Sequence, residues 1–195
     1  MADELIDICD EKNNLLGVKK MKSAAHREGL WHRAAHTWIY NSRGEVLLQM
    51  RAKNKELYPG VWDCAAAGHV SAGEEPVDSG IREIQEEIGL TVKKEDLEFY
   101  KIFEREVLFG QMNNKEFYYV YFLKYDGDIA DLKLQEEEVD EIRFFPILEF
   151  GQDIRVHPEK YIAPGSYWFE VADELKRKSG LGLNFIFHQN FMNSR

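Results

Sequence analysis

Apolar residues recur along the chain either in alternation with polar residues or in short continuous runs, a pattern typical of β-strands. Strands are predicted at residues 4–9, 30–41, 45–52, 61–68, 97–109, 116–125 and 141–147. Segments rich in Gly, Pro, Asn and Asp predict turns at residues 41–44, 56–60, 111–114 and 125–128. We therefore expect β-sheet to dominate the fold.

Three segments show the spacing of helices instead. The clearest has an apolar stripe at every third or fourth position, formed by Val77, Ile81, Ile84 and Ile88. Pro76 suits the first turn of this helix, and Gly89 suits a left-handed residue just past its end. We expect the stripe to pack against the sheet and the opposite face to be free for chemistry. Two further helices are predicted at residues 146–155 and 166–180.

Composition and charge narrow the class of protein. A chain of 195 residues with 44% hydrophobic content suffices for one buried core and is short for two, so residues 1–195 are expected to form a single domain. No apolar run approaches ~20 residues, and the N-terminus lacks a secretory leader, which argues against a membrane protein. The net charge of −10 argues against nucleic-acid binding. Cys9 and Cys64 lack metal-type spacing and suit a reducing compartment, so we expect a cytoplasmic location.

The predicted helix at residues 76–88 carries a cluster of charges that folding alone does not favour. Its members are Arg82, Glu83, Glu86 and Glu87, with no lysine between them. Positions three and four apart share a helix face, so Glu83 lies beside Glu86 and Glu87. The like charges of these neighbouring side chains repel each other. A solvated acidic face is the alternative, but a divalent cation accounts for the cluster better. Oxygen ligands suit Mg²⁺ or Mn²⁺, which bind carboxylates together with substrate phosphates.

Residues 68–90, GHVSAGEEPVDSGIREIQEEIGL, fit the pattern G-x5-E-x7-R-E-U-x-E-E-x-G-U, with U aliphatic, at every position. The segment resembles a complete Nudix box. The resemblance implies an α/β fold with a mixed β-sheet between helices, the Nudix α/β/α sandwich. It also implies a Nudix pyrophosphohydrolase, which cleaves a diphosphate linked to another group with the help of Mg²⁺, or of Mn²⁺. Members of the family often pair, so a homodimer is a further expectation.

The resemblance also assigns roles to residues of the box. The implied metal ligands are Glu83, Glu86, Glu87 and the carbonyl of Gly68, with Glu116 as a further candidate from a later strand. Arg82 would orient a glutamate by ion pairing, and Glu74 would support it from the loop. The general base stays open among the box glutamates and the downstream acids, which are Glu116 and the run at residues 136–138.

A second resemblance covers roughly residues 4–125, which look like isopentenyl diphosphate isomerases and the Nudix hydrolases closest to them. That isomerase family has a Cys-Gly-His triplet, whereas this chain reads Ala67-Gly68-His69. The positions that match its metal ligands are His26, His32, His69 and Glu116, while Asn114 stands where another glutamate would be. A second metal site is one interpretation of these histidines, and ordinary structural roles are the other. Because an alanine methyl supplies neither acid nor base, isomerisation is disfavoured.

Basic residues gather just before the box, where Arg51 lies at the end of a predicted strand and Lys55 follows it. They are expected to bind the diphosphate, with His69 as a third substrate contact, although surface lysines in a turn are the alternative. The predicted function is therefore Mg²⁺-dependent hydrolysis of a small-molecule diphosphate, either a nucleoside diphosphate derivative or a prenyl-type diphosphate. The alternatives are an isopentenyl diphosphate isomerase and a non-catalytic nucleotide-binding module.

Overall fold

A computed structural model of the protein describes residues 3–55, 57–109, 112–162 and 165–181. The strands are β1 (Leu5–Cys9), β2 (Leu15–Met21), β3 (Trp31–Tyr40), β4 (Glu45–Arg51), β5 (Trp62–Cys64), β6 (Ala66–His69), β7 (Leu97–Phe109), β8 (Met112–Lys124) and β9 (Val139–Pro146). The helices are α1 (Lys22–Glu28), α2 (Pro76–Ile88), α3 (Ile147–Val156) and α4 (Ser166–Lys178). Strands therefore outnumber helices in the part of the chain that is described, and the predicted mixed α/β fold is confirmed.

The described residues fall into two compact units. The first comprises the chain up to Trp38 together with Ala65–Leu123 and Lys133–Gln135. In it β1 pairs with β2 and with β3, β3 pairs with β6 and β8, and β7 forms a long antiparallel hairpin with β8. Helices α1 and α2 belong to this unit, so it holds the whole segment that resembles a Nudix box. That residues 1–195 form a single domain stays a prediction.

The second unit comprises Ile39–Cys64, Lys124–Leu132 and the chain from Glu136 onward. Strand β4 is its centre, because it pairs antiparallel with the end of β3, with β5 and with β9. Helices α3 and α4 belong to this unit and contribute the buried side chains of Ile147, Phe150, Ile154, Trp168 and Leu175. They correspond to the two C-terminal helices that the sequence predicts.

Three details of the sequence prediction are wrong. The strand predicted at residues 61–68 is interrupted at Ala65, because β5 pairs with β4 whereas β6 pairs with β3. Strand β2 and helix α1 were not predicted, since nearly every side chain of β2 is exposed and shows no alternation of burial. The turn predicted at residues 111–114 overlaps β8, which already begins at Met112, and Gln111 lies outside the described residues.

In the described residues, every helix is too short or too polar to cross a lipid bilayer.

Candidate active site

Helix α2 lies close to the sheet of the first unit because its inward face carries small residues. A Cβ at Gly80 would lie 3.5 Å from Thr37 Oγ1 and 3.8 Å from the Ala35 side chain, both on β3. Ile84 and Ile88 of the helix are fully buried. The helix begins at Pro76 and is closed by left-handed Gly89, as the sequence predicts.

The buried face of α2 is not the one that the apolar stripe predicts. Val77 and Ile81 are only partly buried, whereas Glu83 and Glu87 are buried beside Ile84 and Ile88. The expectation that chemistry and packing use opposite faces is therefore wrong. Small residues on both the helix and the facing strand, such as Gly80 and Ala35, bring the two backbones together, and the buried face holds both isoleucines and carboxylates.

Gly68 on β6 makes room for the first of these carboxylates. A Cβ on Gly68 would lie 2.0 Å from Glu83 Oε1 and 2.1 Å from its Cδ, which is far inside van der Waals contact. Any side chain at position 68 would displace the Glu83 carboxylate. The glycine that opens the box pattern is thus explained by close approach of a carboxylate to the strand backbone.

Arg82 holds several carboxylates at once. Its Nη1 donates to Glu83 Oε1 at 2.7 Å and to Glu86 Oε2 at 3.1 Å, while Nε and Nη2 donate to the two oxygens of Glu74, each at 3.2 Å. Nη2 also donates to the carbonyl oxygen of His69 at 3.1 Å. These contacts extend from the loop through the helix to β6, and the orienting role of Arg82 in catalysis stays a prediction.

The other two box glutamates differ in exposure. Glu87 is buried, and its Oε2 accepts the backbone N–H of Ala67 at 3.1 Å. Glu86 is half-exposed, with a side chain that is 52% accessible. The carboxylate set therefore runs from a buried position against β6 to an open position on the helix surface, where a substrate can reach it.

Burial and charge act against each other in this group. Burial raises the pKa of Glu83, and the neighbouring Arg82 cation opposes that shift without cancelling it. Burial lowers the pKa of Arg82, but the hydrogen bond with Glu74 and the charge of Glu83 outweigh it, so the pKa is raised overall. Arg82 is a permanent cation among the carboxylates.

A second group forms where α1, β3, β6 and β8 meet. His26 Nε2 lies 3.3 Å from His32 Nε2 and 3.2 Å from His69 Nε2. Glu116 Oε1 lies 3.1 Å from His69 Nε2 and 3.5 Å from His32 Nε2. The four ligand atoms all lie within 4.8 Å of one another. The structure thus brings together all four residues that match the isomerase ligands.

The protonation of this histidine group suits a metal. His32 Nδ1 lies 2.9 Å from the carbonyl of Leu30, which only accepts, so Nδ1 carries the proton and Nε2 presents its lone pair to the group. Burial, and then the neighbouring His69 and His32, lower the pKa of His26 to about 4. Burial also lowers the pKa of His69, although Glu116 opposes it. Burial alone would raise the pKa of Glu116, but the neighbouring His32 and His69 hold it well below its usual value.

Strand β6 separates the two groups. Adjacent residues of a strand point to opposite faces, so Gly68 faces Glu83 while His69 faces the histidines. The register with β3, which pairs Ala34 with His69, places His32 on the same face as His69. His69 is common to both groups, because its ring joins the histidines while its carbonyl accepts from Arg82.

The basic residues predicted to bind substrate lie in the second unit and have structural partners. Arg51 donates to Asp63 Oδ2 at 3.2 Å and to the carbonyls of Leu57 and Tyr58, each at 3.1 Å. Lys55 is ion-paired with Glu138, one of the acids considered as a general base. These contacts hold the loop after β4. Substrate binding by Arg51, Lys55 and His69 stays a prediction.

Sequence reasoning missed three contributors. Buried Ser79 donates to the His69 carbonyl at 3.0 Å, and Glu4 of the N-terminal segment lies 3.8 Å from Arg82. Asn114 donates to Glu116. Only Asn114 had a signal in the sequence, as a departure from the isomerase pattern. Ser79 lies one turn before Arg82 on α2 but is not a fixed position of the box pattern, whereas tertiary contacts alone bring Glu4 to the site.

The family model of the NUDIX domain matches residues 30–164, which is more than half of the chain. The chain belongs to the Nudix family. It is 38% identical over 143 residues to an uncharacterized Nudix hydrolase of Pseudomonas aeruginosa, covering 72% of this chain and 78% of that protein. The predicted enzyme class is confirmed at the level of this family.

Other relatives of this Nudix protein include both a Nudix hydrolase and an isopentenyl-diphosphate isomerase, the two groups that the sequence resembles. It is 32% identical over 171 residues to isopentenyl-diphosphate Delta-isomerase 2 of Aromatoleum aromaticum, covering 86% of this chain and 83% of that protein. It is 33% identical over 167 residues to Nudix hydrolase 3 of Arabidopsis thaliana, covering 83% of this chain but only 22% of that protein. The chain thus spans about one fifth of the length of the Arabidopsis relative.

Solved structures confirm the Nudix fold. A crystal structure of a Deinococcus radiodurans protein matches with a TM-score of 0.64 at 20% identity, covering 89% of this chain and 98% of that one. The MutT protein of Methanosarcina mazei matches with a TM-score of 0.56 at 22% identity, covering 74% of this chain and 94% of that one.

Proposed function

We propose that this Nudix protein hydrolyses a diphosphate linkage in a small molecule, with Mg²⁺ or Mn²⁺ held by the carboxylates of α2. The observation that carries the proposal is the packing of Glu83 against Gly68, where even one methyl group would displace the carboxylate. Folding stability does not require a buried glutamate at this position, since burying a carboxylate costs free energy. A carboxylate kept there at that cost, in a chain of the Nudix family, supports a catalytic use.

The residues present fit a hard divalent cation. Glu83 and Glu86 each direct an oxygen to the same nitrogen of Arg82, so these two oxygens already converge on one position of positive charge. Glu87 lies one turn from Glu83 on the same face of α2. With the Gly68 carbonyl, they would hold Mg²⁺ or Mn²⁺ through oxygen atoms alone, which is the donor set these ions prefer. When bound, the ion neutralises charge on the diphosphate and makes a bound water more acidic.

The chain's own residues position the reactants. Arg82 is a fixed cation that holds Glu83 and Glu86 through one nitrogen, which limits the orientations of both carboxylates. The Ala67 N–H fixes Glu87. Attack by water on phosphorus forms one P–O bond, breaks the bond to the bridging oxygen, which leaves with the second phosphate, and releases a proton. The three glutamates of α2 and the downstream acids named from the sequence are the candidate acceptors of that proton. Glu86 is the most accessible of the three glutamates, while Glu83 has the raised pKa.

Two substrate classes share the diphosphate that this site would bind. The Aromatoleum relative is an isopentenyl-diphosphate isomerase by name, which supports a prenyl-type diphosphate. Membership of the wider Nudix family supports the other class, a nucleoside diphosphate derivative, as the substrate. The partner is in either case a small molecule. A cytoplasmic location is proposed with it, supported by two buried free thiols, Cys9 and Cys64, and a homodimer remains an expectation from the family alone.

The isomerase alternative is supported by the assembled histidine group, but the structure weakens it at the catalytic thiol. Ala67 has no proton to give, and Cys64 is buried in β5 of the second unit and paired with Leu48 of β4. Neither residue replaces the cysteine of the isomerase triplet. The non-catalytic alternative would suit a box that had lost its acidic residues, whereas all of its glutamates are present.

A substrate panel tests the proposal. The full chain is incubated with nucleoside diphosphate derivatives and with isopentenyl diphosphate, in Mg²⁺, in Mn²⁺ and with chelator, and the products are separated by chromatography. We expect metal-dependent cleavage of at least one diphosphate with multiple turnovers. Conversion of isopentenyl to dimethylallyl diphosphate without cleavage would establish the isomerase instead. Tight binding of a nucleotide without any turnover would establish the binding module.

A further inference from the structure

Asn114 lies beside the histidine group and contacts its only carboxylate. The Nδ2 of Asn114 donates to Glu116 Oε2 at 2.7 Å, a short distance for an N–H donor. Both residues lie on β8, two positions apart, and therefore on the same face of the strand. The amide must present its nitrogen here, because an ionised carboxylate only accepts hydrogen bonds.

This hydrogen bond divides the two oxygens of Glu116 between two tasks. Oε2 is engaged by the amide, while Oε1 points to His69 Nε2 at 3.1 Å and His32 Nε2 at 3.5 Å. The amide oxygen of Asn114 is buried and has no hydrogen-bond partner among the described residues. Its nitrogen is thus the only polar atom of the side chain that has such a partner in the described region, and that partner is Glu116.

The amide also changes the charge and the number of ligands. A glutamate at this position, as in the isomerase pattern, would add a negative charge and oxygen ligands to the group. With Asn114, the group has three imidazoles and a single carboxylate, whose facing ligand atoms lie within 4.8 Å of one another. Three nitrogens and one oxygen suit transition metals such as Zn²⁺ better than Mg²⁺, which prefers oxygen.

We propose that Asn114 is a positioning residue that limits Glu116 to one ligand oxygen, so that the histidine group supplies four protein atoms, three nitrogens and one oxygen, to a transition metal ion. Outer partners of this kind fix the orientation of a ligand and contribute to metal affinity. The assignment does not depend on the hydrolysis proposed above, because the carboxylates of α2 lie on the opposite face of β6.

The test compares Asn114→Leu with Asn113→Leu. Asn113 is the neighbouring residue on β8, faces the other way and donates to Glu106 at 3.3 Å, so it is a matched control. Zn²⁺ affinity of the full chain is measured by competition with a coloured chelator. We expect Asn114→Leu to weaken Zn²⁺ binding by about tenfold to a hundredfold, which is typical for loss of an outer partner, and Asn113→Leu to leave it unchanged.

A second variant and a spectroscopic measurement separate positioning from a general loss of stability. Asn114→Asp cannot donate to Glu116 but adds an oxygen ligand, so we expect the preference for Zn²⁺ over Mn²⁺ to fall by at least about tenfold. X-ray absorption at the zinc edge should show a one-oxygen carboxylate in the wild type and a two-oxygen carboxylate in Asn114→Leu. The proposal is overturned if the wild type binds no Zn²⁺, or if both Asn114 variants bind and coordinate the metals as the wild type does.

Discussion

The two sides of strand β6 hold polar groups that are assembled in different ways. The carboxylates of α2 come from one helix and range from buried to half-exposed, with Glu83 and Glu86 held by Arg82 and Glu87 by the Ala67 N–H. The histidine group draws one residue from each of four elements, is almost entirely buried and has a single negative charge. The first group is rich in oxygen and open to solvent at Glu86, whereas the second is rich in nitrogen and closed. The two donor sets therefore suit cations of different chemistry, oxygen ligands on one side and mainly nitrogen ligands on the other.

The short strand β6 contributes to both the α2 carboxylates and the histidine group. Residues 67–69 contribute a backbone N–H to Glu87, space for the Glu83 carboxylate and a carbonyl to Arg82, while the His69 ring serves the opposite face. Backbone atoms hold the carboxylates, and a side chain joins the histidines. Because the backbone contacts do not depend on the side chain at 69, the two groups should respond separately to most substitutions.

The largest effect is expected from the box glutamates. Glu86→Gln and Glu87→Gln each keep the size of the side chain but remove a charge from the ligand set, so we expect hydrolysis to slow by about a hundredfold to ten-thousandfold. Initial rates on whichever diphosphate the panel identifies provide the measurement. Glu75→Gln, at the exposed start of the same helix, is the control and should retain its rate. Full activity in both active-site variants would remove the carboxylates from the mechanism.

The next effect separates the two groups. His32→Ala removes a buried ligand whose lone pair faces the histidine group, so Zn²⁺ affinity should fall by more than about a hundredfold, beyond the effect of an outer partner. Mg²⁺ affinity, measured by calorimetry, should stay unchanged, because the α2 carboxylates have no contact with His32 in the described structure. Circular dichroism confirms folding. Parallel loss of both affinities would show that the groups form one site.

Gly68→Ala should affect the carboxylate side alone. The new methyl would lie 2.0 Å from Glu83 Oε1, and the end of a flexible side chain can move away while the backbone stays. We expect a folded protein whose Mg²⁺ affinity is about tenfold weaker, since one of the ligands is displaced. Calorimetry measures this, and Zn²⁺ affinity at the histidines should persist. An unchanged Mg²⁺ affinity would mean that the observed position of Glu83 is not needed for binding.

The sequence predicts the local group far better than the distributed one. The box pattern specified α2, its ends and its charged residues, because all of these lie within 23 consecutive residues. The histidine group spans α1 to β8, and only the resemblance to isomerases linked its members. The burial of Glu83 and Glu87 was not predicted, because helical periodicity identifies only the apolar positions of a helix. It does not show that Gly68 and Gly80, which lack side chains, allow the helix and its carboxylates to approach the sheet closely. Strand β2 was missed for a related reason, since an exposed edge strand lacks alternation.

The smallest expected effect is also the sharpest control for Gly68→Ala. Gly80→Ala makes the same change on the buried face of α2, but its methyl would meet Thr37 Oγ1 at 3.5 Å, an ordinary van der Waals distance. Glycine inside a helix is destabilising relative to alanine, so the variant should gain about 0.5–1 kcal/mol in free energy of unfolding. Denaturant unfolding measures the gain, and Mg²⁺ affinity should not change. A loss of stability instead would mean that the fit of α2 against β3 tolerates no added methyl at Gly80.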